Sequence, residues 1–145
     1  MIDLKIKRLF FDRQTVVRAV DKAKRAVLSR AGAFIRQTAR TSIRERKGTS
    51  TPGQPPHSHV GLLRRFLLFG YDRDTESVVI GPAKLNKAGD APHVLEHGGT
   101  TTTEGRKRGR RVRRRVRVRK RPYMGPAMKK ELPKFPELWR NSIRG

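Results

Sequence analysis

Between Arg106 and Arg121 the chain reads RKRGRRVRRRVRVRKR, where twelve of sixteen residues are Lys or Arg and none is acidic. A core cannot take in such a segment, because an unpaired charge removed from water costs several kcal/mol. Like charges at this density also repel one another unless something anionic lies against them. The run must therefore sit at the surface, and the body must fold without it. It is no featureless tail. Val112, Val116 and Val118 interrupt it, and Val116-Arg117-Val118-Arg119 alternates as a strand with one apolar and one charged face does. An apolar segment follows it. The expectation is a single domain over residues 1–145, with residues 100–121 inserted as a basic strand or hairpin arm.

The remaining residues still carry a net charge of +12 out of the total +24, so the whole surface is basic with the arm as its peak. With 145 residues and 34% hydrophobic content, one moderate core is what the chain can bury. Nucleic acid or an acidic protein surface suits such a balance. An anionic membrane is the weakest of the candidate partners, since no apolar run approaches the ~20 residues that span a bilayer, and no membrane partner is expected. The start, MIDLKIKRLFF, lacks the apolar core and small-residue cleavage site of a signal peptide. The chain has no cysteine, which excludes disulfides, thiolate catalysis and Cys-based zinc sites.

Met1–Phe11 alternates as a first strand, and Asp12 is placed to cap a helix, with Phe11 and Val16 as a hydrophobic staple. Val16, Val20, Ala23, Val27, Ala31, Phe34, Thr38 and Ile43 then recur at helical intervals, opposite Arg18, Lys22, Arg25 and Arg36. One amphipathic helix is expected to run to Lys47-Gly48, with a break near Gly32. At roughly 50 Å it outgrows a small domain, so part of its stripe is expected to meet another subunit. Residues 48–58, GTSTPGQPPHS, read as a loop. Leu62–Tyr71 begins as a helical turn and becomes a strand, and Ser77–Gly81 returns as its hairpin partner. His93–His97 forms a helical turn stopped by Gly98-Gly99. Pro122 ends the arm, Met124–Leu132 is a short helix, and Leu138, Trp139 and Ile143 mark a closing one. The fold class is α+β: a long N-terminal helix on a small, mostly antiparallel sheet, with a basic β-hairpin arm and short C-terminal helices.

His57-x-His59 and His93-x-x-x-His97 beside Glu96 have separations that zinc sites use, but no longer signature accompanies them. Hydrogen bonding that ties the Pro-rich loop is the expected role of His57 and His59, and neither metal nor cofactor is expected. No nucleophile–base set, phosphate-cradling Gly loop or tight carboxylate pair stands out, so the chain does not read as an enzyme. On the arm, Arg110, Arg111, Arg113, Arg114, Arg115, Arg117, Arg119, Lys120 and Arg121 are the candidates for contact with DNA or an acidic partner. Arginine outnumbers lysine there ten to two, and its planar fork makes bidentate contacts to phosphate or carboxylate. The run has no aromatic residue on which single-stranded bases could stack.

A set of short phrases resembles the neck, or tail-completion, proteins of tailed bacteriophages, a family similar in pattern to minor tail components. They are Gly53-Gln-Pro-Pro-His-Ser-His59, Gly61-Leu-Leu-Arg64, Phe69-Gly-Tyr71, Ser77-Val-Val-Ile-Gly-Pro82, Ala91-Pro-His-Val-Leu-Glu-His-Gly-Gly99 and Arg121-Pro-Tyr-Met-Gly-Pro-Ala127. Their order carries the match, over about Val16 to Ile143. Val60 stands where the family favours Thr, Tyr123 where it favours Phe, and His97 where it favours an aromatic. The resemblance implies a structural virion protein assembled in the host cytoplasm. It would form a ring, sixfold or twelvefold, that joins the DNA-filled head to the tail around the DNA channel. Its partners would be itself, head-completion or stopper proteins, tail-terminator or tail-tube proteins, and genomic DNA in the channel. Phe34, Ile35, Tyr123, Met124 and Trp139 are the candidates for the subunit interface. The competing reading is a cellular nucleic-acid-binding protein, ribosome-associated or chromatin-like, in which RPYMGPAMKKELPKFPELW has no evident role.

Overall fold

A computed structural model describes residues 12–83, 90–140 and 142. The strand expected over Met1–Phe11, the staple through Phe11, and Ile143 lie outside the described residues. The backbone runs α1 (Arg13–Ser42), α2 (Leu62–Arg65), β1 (Leu67–Asp72), β2 (Ser77–Pro82), α3 (Ala91–His97), β3 (Gly99–Lys107), β4 (Arg110–Val118) and α4 (Met124–Glu131). A 3-10 turn (Leu132–Lys134) and α5 (Phe135–Arg140) follow. The fold is α+β. Its strands form two separate antiparallel hairpins, β1–β2 on the body and β3–β4 as the arm.

Asp12 caps α1 as its position in the sequence predicts. Its carboxylate accepts from the Thr15 N–H at 3.1 Å and the Thr15 hydroxyl at 2.5 Å, which lowers its pKa. The helix is about 45 Å long at 1.5 Å per residue. It passes through Gly32 without a break, which corrects the expected interruption. Glycine serves packing there: a Cβ would stand 2.6 Å from Val78 Cγ1 and 3.1 Å from Phe69 Cδ2, so the missing side chain lets β1–β2 lie close on the helix. The helix also ends earlier than Lys47-Gly48 suggested. Thr41 donates back to Gln37 O and Thr38 O, and Ser42 to Ala39 O, using up the last carbonyls. Ile43 turns extended and plugs into the core.

The buried stripe of α1 is Ala23, Val27, Ala31, Ile35 and Ala39, a strict four-residue row with Gly32 beside it. Phe34, which the looser periodicity put on that stripe, faces outward at 43% exposed. The core gathers Ile35, Ala39 and Ile43 with Leu67, Tyr123 and Ala127, and Leu63, Ile80, Leu95, Met124 and Phe135 pack around it. Burying one large side chain here contributes about 1.5–3 kcal/mol. Arg36 Nε donates to Leu67 O at 2.6 Å and fixes the start of β1 against α1. The first ten residues of α1 are all exposed, Val16, Val17 and Val20 among them.

Glu131 closes the other end. Its buried carboxylate accepts from the Thr38 hydroxyl of α1 at 2.6 Å and from Lys134 Nζ at 2.7 Å. Lys134 first, then Thr38, holds its carboxyl below the ordinary carboxylate value. A depressed folded-state pKa adds stability that is complete above the unfolded value of about 4.3 and is lost as pH falls through the folded one. Glu131→Gln should therefore flatten the acid limb of stability. Urea midpoints measured from neutral pH down to about pH 3 would then fall less steeply than those of the parent.

Candidate assembly and polyanion-binding surface

Two short helices meet where the arm leaves and re-enters the body. Helix α4 starts at Met124, and its first four backbone N–H positions, residues 123–126, have no partner within the helix. Pro126 has no N–H to offer. Glu96 of α3 takes all three others: Oε2 accepts from Tyr123 N at 2.8 Å and Met124 N at 3.0 Å, and Oε1 accepts from Gly125 N at 2.8 Å. A carboxylate at a helix N-terminus also gains from the helix dipole. A few residues upstream, Arg121 N donates to Leu95 O at 2.6 Å. At Gly98 (φ +79°) a Cβ would approach Lys120 N to 3.3 Å, so glycine suits both the backbone conformation and the contact.

The loop at residues 48–58 seals the same junction. Gly53 N donates to Lys120 O at 2.9 Å, Arg121 Nε to Ser50 O at 3.0 Å, and Arg121 Nη1 to Arg119 O at 3.2 Å. His57 Nδ1 lies 2.9 Å from Gly48 O, in the loop-tying role expected of it, whereas His59 is exposed. The His93 and His97 rings lie 4.7 Å apart, tilted 47° to one another, and Asp90 approaches His93 at 3.9 Å. Among the described residues no group of three or more His, Asp or Glu gathers to hold a metal.

From this junction the arm projects as a two-stranded ribbon with one tight turn. Arg108 and Gly109 both have positive φ (50° and 77°), as a type I′ turn requires. The threonine-rich stretch before the basic run is itself the partner strand, so the ribbon begins at Gly99. Apart from its own pairing, the ribbon touches the body mainly through β3 against α3. Cross-strand partners share a face, and the pairings Thr100↔Arg117, Thr102↔Arg115, Glu104↔Arg113 and Arg106↔Arg111 define one of them. That face holds five arginines and one acid, with Arg113 Nε bonded to Glu104 Oε1 at 2.9 Å. The opposite face carries Val112, Val116 and Val118 with Thr101, Thr103, Lys107, Arg110 and Arg114.

The candidate contact residues thus divide. Arg111, Arg113, Arg115 and Arg117 share the arginine face, and Arg110 and Arg114 lie on the other. Arg119 and Lys120 are exposed just past the ribbon. Arg121 is half-buried with its guanidinium on backbone carbonyls, so it fastens the arm's root.

The interface candidates divide as well. Ile35 (4% exposed) and Tyr123 (1% exposed) are buried in the protomer's own core, and Met124 packs against it. Phe34 and Trp139 remain on the surface. Burial, with the Glu96 charge second, pushes the Tyr123 phenol up to about 12. Sequence reasoning missed Glu96 as the junction's centre and Arg106 as a member of the arginine face. A Glu three residues before Gly99 and a Pro two residues after Met124 were the available signals, one an anion and the other a donor-free position at a helix start.

Glu96→Ala should destabilise the fold by about 2–3 kcal/mol, as charged hydrogen bonds and helix caps of this kind do. Glu96→Gln, which keeps one amide oxygen as acceptor, should recover part of that loss in thermal melts. Comparison of the chain with protein-family models, with curated proteins and with solved structures finds no match.

Proposed function

We propose that this chain is a structural protein of a tailed-phage neck, assembling into a ring between the DNA-filled head and the tail. The observation that carries this reading is the convergence of the resembling phrases on one junction. Glu96 of the Ala91–Gly99 phrase holds the backbone of the Arg121–Ala127 phrase, and Gly53 of the Pro-rich phrase bonds to Lys120 beside them. Phrases far apart in sequence thus act as one structural unit, as shared family motifs should. The arm enters and leaves at that unit without contributing to the core, as an insertion specific to one family member would.

A ring built head-to-tail needs two different surfaces on each protomer. The exposed start of α1, with Val16, Val17 and Val20, and the exposed Phe34 and Trp139 supply apolar surface on the body for such contacts. Head-completion or stopper proteins and tail-terminator or tail-tube proteins would stack above and below. The ribbon is about 30 Å long at ~3.4 Å per residue and reaches well beyond the body. It serves as an assembly arm for an anionic partner, with no catalytic step assigned to the protein.

Native mass spectrometry and negative-stain images of the purified full chain test this. Closed rings of six or twelve copies are the expected result. A monomer at every concentration tried, binding nucleic acid singly, would instead favour a cellular nucleic-acid-binding protein.

A further inference from the structure

We infer that the arginine face of the ribbon, Arg106, Arg111, Arg113, Arg115 and Arg117, is a binding surface for the phosphate backbone of double-stranded DNA. This names the arm's partner within the neck reading proposed above. Three observations lead to it.

The first is periodicity. Residues on one face of a strand repeat every two positions, so Arg111, Arg113, Arg115 and Arg117 stand ~6.8 Å apart, about twice the 3.4 Å axial spacing of phosphates on one DNA strand. A regular row of planar, bidentate donors matches a regular polyanion better than the irregular carboxylates of a protein surface.

The second is what the face lacks. Its other residues are Thr100, Thr102 and Glu104, with no aromatic or aliphatic side chain. A stable protein–protein contact is anchored by a buried apolar or aromatic centre, whereas protein–DNA interfaces are polar and strongly positive. The valines that could anchor a protein lie on the opposite face. With no aromatic residue on the ribbon, single-stranded bases have nothing to stack on, which favours the duplex.

The third is self-repulsion in the ribbon itself. At the tip, Lys107↔Arg110 and Arg106↔Arg111 set cation against cation across the strands, an arrangement that destabilises a hairpin. Glu104 on Arg113 is the one acid on the ribbon. Phosphates lying along the arginine face would remove this repulsion, so binding and ordering of the tip are coupled. A ribbon of this width also fits the major groove, which admits two β-strands. The face has no Asn or Gln to read adenine, and the contact assigned to its arginines is to the phosphates.

Fluorescence anisotropy with the full-length protein, a labelled random-sequence DNA duplex and a series of salt concentrations tests the assignment. Two variants each remove three charges: R111Q/R115Q/R117Q on the arginine face and K107Q/R110Q/R114Q on the other. Arg113 is paired with Glu104, so phosphate contacts from the four other arginines give a slope near −3.6 in log K against log salt, at about −0.9 per phosphate. The first variant should lose at least about tenfold in affinity and bring the slope to about −0.9. The second should stay within about threefold of the parent. Equal losses in both variants would overturn the face assignment, since net charge alone would then explain binding. Equal affinity for single strands, or preference for poly-glutamate over the duplex, would overturn the duplex as partner. Native mass spectrometry of the same samples separates the two proposals. Rings that ignore DNA refute this inference alone, and DNA-binding monomers refute the ring alone.

Discussion

One carboxylate holds this fold together at its weakest point. The C-terminal segment must return to the core after an arm of like charges, and it does so through a helix of only eight residues. So short a helix has little intrinsic stability and depends on tertiary contacts and on how its free ends are satisfied. Glu96 accepts the three backbone donors that α4 offers, and Pro126 removes the fourth. Tyr123 is then fixed at the helix start with its ring in the core, and Ala127 follows one turn later against α1. At the far end of α4, Glu131 bonds to Thr38 of α1, so both ends of the helix are held by carboxylates. The core's C-terminal half depends on this pair of anchors.

Those anchors also make the arm mechanically separate. Its root is closed by Arg121 on Ser50 O, by Gly53 on Lys120 O and by Gly98 packed against Lys120. Beyond that closure the ribbon satisfies its backbone through its own ladder. An isolated hairpin is marginal in water, and this one carries cation pairs at its tip. The same charges protect its two open edges, because a strand edge lined with Arg resists pairing with a copy of itself. The arm is thereby kept from self-association and left open to the proposed polyanion.

Elements that announce themselves through local chemistry were legible in the sequence. Asp12 sits one position before a helical pattern and caps it. Leu62–Tyr71 turns from helix to strand as read, whereas the arm's second strand stops at Val118, short of Pro122. What failed was tertiary. Phe34 and Ile35 are adjacent and both apolar, and only the packing of β1 and α4 on α1 decides which is buried. Gly32 has the profile of a helix break in sequence, yet it is retained because Phe69 and Val78 need the space. Gly48 looks like a helix terminator, but the hydroxyls of Thr41 and Ser42 end α1 first. The division of the arm into two faces required the register, which the threonine strand sets and which composition does not reveal.

The acidic residues explain why so large a positive charge remains for an outside partner. Asp12 caps α1, Asp72 closes the β1–β2 turn through Asp74 N and Thr75, and Glu76 pairs with Lys24. Glu96 and Glu131 hold α4, and Glu104 holds Arg113. Asp12, Asp72 and Glu96 accept only from backbone amides or hydroxyls and so neutralise no cation, whereas Glu76, Glu104 and Glu131 each hold a Lys or Arg. With 36 basic residues against 12 acidic ones, even complete pairing would leave two thirds of the cations free. Using Asp12, Asp72 and Glu96 as internal fasteners raises that share further. The fold thus uses much of its negative charge in caps, turns and anchors that hold elements together, and its positive charge lies at the surface, most densely along one face of the ribbon. Such a distribution lowers the stability of an isolated protomer through self-repulsion and is relieved when a polyanion is present. That unbalanced charge is what the proposed polyanionic partner would neutralise.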